Sequence, residues 1–261
     1  MRPVIALLTD FGTQDHYAGT MKGVILGICP DATLVDITHD IPPHDVTAGA
    51  LELAAACRYF PVGTIFVAVV DPGVGSARRG FAADTGDYRF VAPDNGVLTQ
   101  VLRDAPPKKM VELTERRYAR PTVSRTFEGR DRFAPAAGWL AKGIQLSALG
   151  RSITDVHRLD IPVAEESAGA VRGVVLRVDR FGNLVTNIER KMVERLGQGG
   201  ITIDAGGRRI ERLVATYGEL PAHGVGALFG GTDHLELAAP SSSAADRLNL
   251  ARGAAVAVTK I

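Results

Sequence analysis

The sequence predicts an α/β domain with a mainly parallel sheet, followed by a smaller, mostly β domain. Three observations carry that expectation. Short, continuously apolar runs alternate with helical patterns through the first half, as strands buried on both faces require. Polar loops carrying aspartate stand where those runs end. Past about residue 165, Gly-rich turns separate short strand-like runs and helical patterns become scarce. The expected domains are residues 1–165 and 166–261.

Val4 to Leu8 is the first buried strand and stops at Thr9-Asp10-Phe11-Gly12. Tyr17 to Cys29 places Met21, Val24, Ile25 and Ile28 at helical spacing, and Pro30 follows its end. Thr33 to Ile37 is the second strand, and Ala48 to Tyr59 is an Ala-rich helix. Thr64 to Val70 is the third strand, ending on Asp71-Pro72-Gly73-Val74-Gly75. Arg89 to Ala92 is read as the fourth, followed by Pro93-Asp94-Asn95-Gly96 and a helix from Val97 to Arg103. A helix from Phe133 to Lys142 closes the first half, and Ile161 to Gly169 reads as a connector. Beyond it, Gly173 to Val178, Ile201 to Ile203, Leu235 to Leu237 and Ala255 to Val258 read as strands, with one helix over Lys191 to Leu196.

Composition excludes several classes of function. The 261 residues carry a formal net charge of +1, too balanced for a chain whose main task is gripping nucleic-acid phosphates. Two isolated cysteines, Cys29 and Cys57, build no disulfide framework and favour a reducing compartment. The apolar run near the N-terminus is too short for a signal peptide or a membrane span. A soluble, cytoplasmic protein without nucleic-acid or membrane partners is the expectation. The six histidines show neither HxH nor HExxH spacing, so no metal site is expected, and no G-x-S-x-G elbow is present.

In an open α/β sheet, ligands bind beyond the carboxyl ends of the strands, where Asp10, Asp71 and Asp94 fall. A carboxylate there either accepts paired hydrogen bonds from vicinal ribose hydroxyls or caps the next helix. The loop at Asp71 lacks both the GxxxxGK[ST] and the full GxGxxG spacing, so a phosphate cradle is weakly signalled. Arg78 and Arg79 either pair with a carboxylate or form a solvated turn. Glu128, beside Gly129, either faces a ligand or favours the start of the next helix. In the second half, Asp179-Arg180-Phe181-Gly182-Asn183 reads either as an adenine-reading loop or as a hairpin turn.

The segments TDFGTQDHYAGTMKGVILGICPDATLVDITHDIPPHD, FVAVVDPGVGSARRG, VAPDNGVLTQVL, TFEGRDRFAPAAGWLAKG and VDRFGNLVTNI, in this order, resemble the S-adenosyl-L-methionine (SAM) hydroxide adenosyltransferases, SAM hydrolases related to fluorinase and chlorinase. The resemblance spans nearly the whole chain. It implies a β-barrel-like C-terminal domain and a homotrimer with SAM at subunit interfaces. SAM is then the substrate, split by water to adenosine and L-methionine, with no cofactor. By motif, Asp10 binds the ribose hydroxyls, Asp71 and Arg78 belong to the set around the nucleophile, Asn183 reads adenine, and Asp179 meets the methionine ammonium. Thr232 and Glu236 are further implied substrate contacts. Asp71 and the short run from Gly80 to Arg89 favour water over halide.

Two positions depart from the family pattern. Glu128 stands where the hydrolases carry His, and Leu228 to Glu236 (LFGGTDHLE) replaces an Asn-Ser-(Ser)-Gly-Tyr-Leu-Glu run. Like charge between Glu128 and Asp71 raises the proton affinity of one of them; alternatively Arg78 pairs with Glu128 and the site still orders a water. The expected activity is SAM hydrolysis with Asp71, Arg78 and Glu128 as the catalytic set. The alternatives are a SAM- or adenosine-binding module weakened by Glu128 and, less favoured, a 5′-halogenase.

Overall fold

The computed structural model describes residues 2–197, 199–210 and 212–261. The chain divides into two compact units, Met1–Asp160 and Ile161–Ile261. Each is built around its own sheet.

The first unit runs β1 (Val4–Thr9), α1 (Tyr17–Ile28), β2 (Thr33–Thr38), α2 (Val46–Cys57), β3 (Ile65–Val69), β4 (Gly80–Asp84), β5 (Arg89–Pro93), α3 (Thr99–Asp104), β6 (Lys109–Glu112) and α4 (Ala134–Ala141). Its sheet order is β2-β1-β3-β5-β4-β6. The β2-β1-β3-β5 portion is parallel, while β4 pairs antiparallel with both β5 and β6. Side chains alternate across the sheet, as the two-residue period of a strand demands. Ile5, Leu7, Ile65 and Val67 pack on one face with Met21 and Ile25 of α1 and Leu140 of α4. Ala6, Leu8, Phe66 and Ala68 face the other side, with Leu53 of α2 and Leu102 of α3. Both faces are covered, which is why β1 and β3 read as unbroken apolar runs rather than as alternating ones.

Two expectations are corrected here. The run from Gly80 to Arg89, to which no strand was assigned, contains β4, and Lys109–Glu112 forms an unforeseen edge strand. In β4 the sequence is only Gly-Phe-Ala-Ala-Asp, and a β-carbon at Gly80 would lie 2.6 Å from the Phe133 ring. Close packing against an aromatic ring, not β propensity, selects that glycine.

The second unit contains β7 (Glu165–Ser167), β8 (Ala170–Val178), β9 (Leu184–Glu189), α5 (Arg190–Glu194), β10 (Ile201–Ala205), β11 (Arg208–Ile210), β12 (Gly226–Phe229), β13 (His234–Ala238), α6 (Ala244–Leu248) and β14 (Ala255–Lys260). Its eight strands form an antiparallel, barrel-like sheet in the order β11-β10-β14-β8-β9-β13-β12, with β7 on β8. Val171, Val175, Leu184, Ile188, Leu235, Leu237 and Val258 point into one core. Among the described residues, no helix is long and apolar enough to cross a membrane.

One loop of the first unit positions the site. Residues 120–128 lead into a π-helical turn, Gly129–Phe133, that continues into α4; such turns concentrate at functional positions. Asp131 locks this stretch. Its carboxylate is fully buried and accepts Arg130 Nε at 2.7 Å, Arg130 Nη2 at 2.8 Å and the Ser124 backbone N–H at 2.8 Å, with Arg120 Nε 3.3 Å away. Burial pushes the Asp131 proton affinity up, but the Arg130 and Ser124 bonds and the nearby guanidinium charges outweigh it and hold its pKa below the ordinary carboxylate value.

A depressed native pKa contributes stability that is present above the unfolded value and is lost as pH falls through the native one. Asp131→Asn is therefore expected to cost about 2 kcal/mol at pH 7. The gap to wild type should narrow as pH falls below about 4, near the unfolded carboxylate pKa. Urea midpoints from pH 7 downward test this; a gap that stays constant with pH contradicts it.

Candidate functional site

The loop after β3 turns twice in quick succession. Val74 N–H donates to Asp71 C=O at 3.2 Å, and Ser76 N–H donates to Gly73 C=O at 3.1 Å. Ser76 Oγ donates to Gly73 C=O at 2.7 Å and accepts from Arg78 N–H at 3.2 Å. The chain thus curls until Arg78 meets Asp71. Arg78 Nε donates to Asp71 Oδ1 at 2.9 Å, and its Nη2 donates to Oδ2. This two-pronged pairing is the strongest a guanidinium makes with a carboxylate.

Glu128 approaches the same guanidinium from the start of the π-helical turn. Its Oε2 lies 2.6 Å from Arg78 Nη2, and its Oε1 lies 3.7 Å from Arg132 Nε. The Asp71, Arg78 and Glu128 side chains are only 5, 9 and 10% exposed. The Arg78 guanidinium stands 5.3 Å from the centre of the Phe133 ring. Burial disfavours its charge, but Asp71, by hydrogen bond and charge, and then Glu128 raise its pKa above the ordinary arginine value. Arg78 Nη1 is buried and makes no hydrogen bond within the described chain.

Gly75 joins the two loops. It has φ +78°, and a β-carbon there would sit 2.3 Å from the Arg125 carbonyl oxygen. Both the left-handed backbone and the close approach require glycine.

Asp10 ends β1 and faces the same cavity. Its Oδ2 accepts the His44 N–H at 2.9 Å, with His44 itself at φ +69°. Buried Thr9 and His39 hold this loop from below. Thr9 Oγ1 and His39 Nδ1 are 2.8 Å apart, Phe11 N–H donates to Thr9 Oγ1 at 3.2 Å, and Gly12 N–H donates to His39 C=O at 2.7 Å. The cavity measures about 540 Å³, within the range of small-molecule sites. Asp10, Asp71 and Glu128 line it together with Phe11, Tyr17 and Phe127. Tyr17 and Phe127 meet edge to face, with ring centres 5.1 Å apart.

Asp94 lies outside this group. Its carboxylate accepts Arg79 Nε at 2.9 Å and the His157 N–H at 2.7 Å, so it anchors the 155–157 segment instead of lining the cavity. The aromatic lining and Arg132 were missed by sequence reasoning. Their only signal was the position of Phe11 and Phe127 beside candidate carboxylates; no spacing links them.

The second unit gathers the remaining predicted residues. Asp179 Oδ1 accepts the Phe181 and Asn183 N–H groups, each at 2.8 Å, and its Oδ2 accepts Asn183 Nδ2 at 2.9 Å. This is a tight side-chain-closed turn, with Gly182 at φ +84° and Phe181 exposed at its tip. Glu236 is buried on β13 and accepts the Tyr217 hydroxyl at 2.7 Å. Burial, that bond and the Glu236 and Asp179 charges push the Tyr217 hydroxyl pKa well up. Gly230 lies directly on the Glu236 carboxylate, where any β-carbon would collide with it. Thr232 is in the β12–β13 turn, its carbonyl 2.9 Å from His234 Nδ1. Among the described residues, no group of three or more His, Cys, Asp or Glu is placed to hold a metal ion.

Comparison with known proteins matches both units. Residues 5–150 match the SAM hydroxide adenosyltransferase N-terminal domain, and residues 173–257 match the corresponding C-terminal domain. An (R)-S-adenosyl-L-methionine hydrolase of Thermus thermophilus is 38% identical, over 97% of this chain and 98% of its own. A fluorinase of an Actinoplanes species is 31% identical, over 99% of this chain and 98% of its own. A crystal structure of an uncharacterized conserved protein from Thermotoga maritima superposes with a TM-score of 0.92 at 32% identity, over 98% of this chain and all of that one. Two domain matches in order and full-length relatives place this chain in the SAM hydroxide adenosyltransferase family.

Proposed function

We infer that this protein hydrolyses SAM at ribose C5′, giving adenosine and L-methionine. The observation that carries this reading is the Arg78 guanidinium clamped between Asp71 and Glu128, two carboxylates that line one cavity together with Asp10. Relatives named as SAM hydrolases support it.

The water oxygen attacks C5′, the C5′–S bond breaks, and its electron pair stays on sulfur as methionine. The water gives up one proton, which must go to an acceptor and then to solvent. Asp71 and Glu128 are the carboxylates beside Arg78, and either can take it. Arg78 keeps both in fixed positions. Asp10 Oδ1 is available to the ribose hydroxyls while Oδ2 is held by His44. No metal or cofactor is invoked, because the sulfonium is already a good leaving group. Orientation of water, C5′ and sulfur along one line supplies most of the barrier reduction.

Residues of the second unit carry groups suited to the adenine and methionine parts of SAM. Asn183 donates to Asp179 through Nδ2, leaving its carbonyl oxygen to accept from the adenine amino group. Asp179 offers negative charge to the methionine ammonium. Thr232 and Glu236 are the further substrate contacts in this reading, with Glu236 held by the Tyr217 hydroxyl. SAM binds at interfaces between copies in a homotrimer.

Glu128 in place of histidine is compatible with this chemistry, since a carboxylate also accepts a proton and here is paired rather than isolated. A 5′-halogenase reading fits less well, because the Asp71 carboxylate beside the nucleophile's position disfavours a halide relative to neutral water.

Incubation with SAM in chloride-free water labelled with ¹⁸O is expected to yield labelled adenosine and methionine; binding of SAM without product overturns the hydrolase reading. Asp71→Ala is expected to lower kcat by at least about 10²-fold, the scale of a lost acid–base group, with SAM affinity changed only a few-fold. Full turnover in that variant removes Asp71 from the mechanism. Gly75→Ala, which forces the Asp71 loop away from Arg125, should lower kcat at least tenfold in folded protein; unchanged kcat would show that loop apposition is dispensable.

A further inference from the structure

The first unit has another cavity, of about 510 Å³, lined largely by the 113–123 segment. Four arginines line it, Arg116, Arg117, Arg120 and Arg132, with Glu115 as the one acidic residue and Tyr118 in the wall. This concentrates positive charge in a chain whose net charge is only +1.

These arginines differ from their neighbours in how they are paired. Arg78, Arg130 and Arg151 each donate hydrogen bonds to a carboxylate. The cavity arginines are held only loosely among the described residues. Arg117 Nε stands 3.7 Å from Glu115, Arg120 Nε 3.3 Å from Asp131 and Arg132 Nε 3.7 Å from Glu128. Among the described residues, Arg116 has no carboxylate partner within 4 Å. Arg117 lies over the Tyr118 ring at 4.9 Å, which orients its planar fork. The carboxylates near these four guanidinium groups are Glu115, Asp131 and Glu128, and the last two are shared with Arg130 and Arg78, so the positive charge of the concavity is only partly offset. Their spare N–H donors suit oxygen-rich anions, which a planar guanidinium binds two-pronged.

We propose that this cavity binds a small polyanion of the di- or triphosphate class. The volume suits a molecule of that size better than a single monovalent ion, and three or more guanidinium groups match several phosphoryl oxygens at once. Arg132 couples the cavity to the reaction centre, because the same side chain stands beside Glu128. A bound polyphosphate draws Arg132 toward itself and loosens the Glu128 carboxylate. That consequence rests on the hydrolase reading; the binding itself does not.

Titration calorimetry of the full-length protein with inorganic triphosphate, without divalent cations, tests the site. One triphosphate per chain is expected, with affinity reduced at least tenfold in an Arg116→Ala/Arg117→Ala double variant and weakened by added salt. Absence of binding, or equal affinity in the double variant, overturns the proposal. So does a change in assembly mass without a change in triphosphate affinity, which would assign these arginines to a contact between copies. In parallel, saturating triphosphate should lower adenosine formation from SAM at least threefold in wild type and leave the double variant unresponsive. Binding without that inhibition would keep the site and remove the coupling through Arg132. Binding in a chain that makes no adenosine would fail the hydrolase reading alone.

Discussion

A single buried guanidinium organises the first-unit site. Arg78 is bonded twice to Asp71 and contacts Glu128, so two carboxylates from different loops are held together inside a nearly solvent-free wall. Without that cation they would repel each other, and one would take up a proton or turn to solvent. The surrounding architecture serves this contact. The double turn after β3 returns Arg78 to Asp71, Gly75 lets the Asp71 loop touch Arg125, and the π-helical turn aims Glu128 inward. Phe133, the last residue of that turn, packs beside the guanidinium and against Gly80 of β4.

The resemblance places histidine where Glu128 stands, and the arrangement accommodates the charge that glutamate adds. An imidazole beside Asp71 and Arg78 would add no negative charge, whereas Glu128 adds one. Arg132, 3.7 Å from its other oxygen, supplies a second cation on that side. The local set is therefore two carboxylates and two guanidinium groups, close to neutral, rather than an uncompensated acidic pair. Asp10 faces the same cavity but is restrained by a different network, through Thr9, His39 and the His44 N–H. Under the proposed function, ribose recognition by Asp10 and nucleophile positioning by the Arg78-linked carboxylates rest on separate sets of contacts.

Much of this was legible in the sequence because it is local. The alternate facing of Ile5 and Leu7 against Ala6 and Leu8 is implicit in a continuously apolar strand. Asp10 and Asp71 stand at strand ends, where chain direction alone places them on one edge. Asp71 and Arg78 are close enough in sequence for a loop to join them, and the Asp179–Asn183 turn is closed by its own side chains. What was not legible depends on contacts across long stretches of chain. The antiparallel strands β4 and β6 carry few β-branched residues and are selected by packing. Asp94, equivalent in pattern to Asp71, is instead bonded to Arg79 and the His157 N–H. Nothing in the spacing of Arg132 or Tyr17 announces which cavity each one lines.

The most direct test is a crystal structure of the protein with intact SAM bound, trapped before turnover. The account predicts ribose hydroxyls on Asp10, and a water within hydrogen-bond reach of Asp71 or Glu128. That water should lie about 3–3.5 Å from C5′, opposite the methionine sulfur. A ribose bound away from Asp10, or a C5′ whose open face is turned from the Arg78-bridged carboxylates, would contradict it.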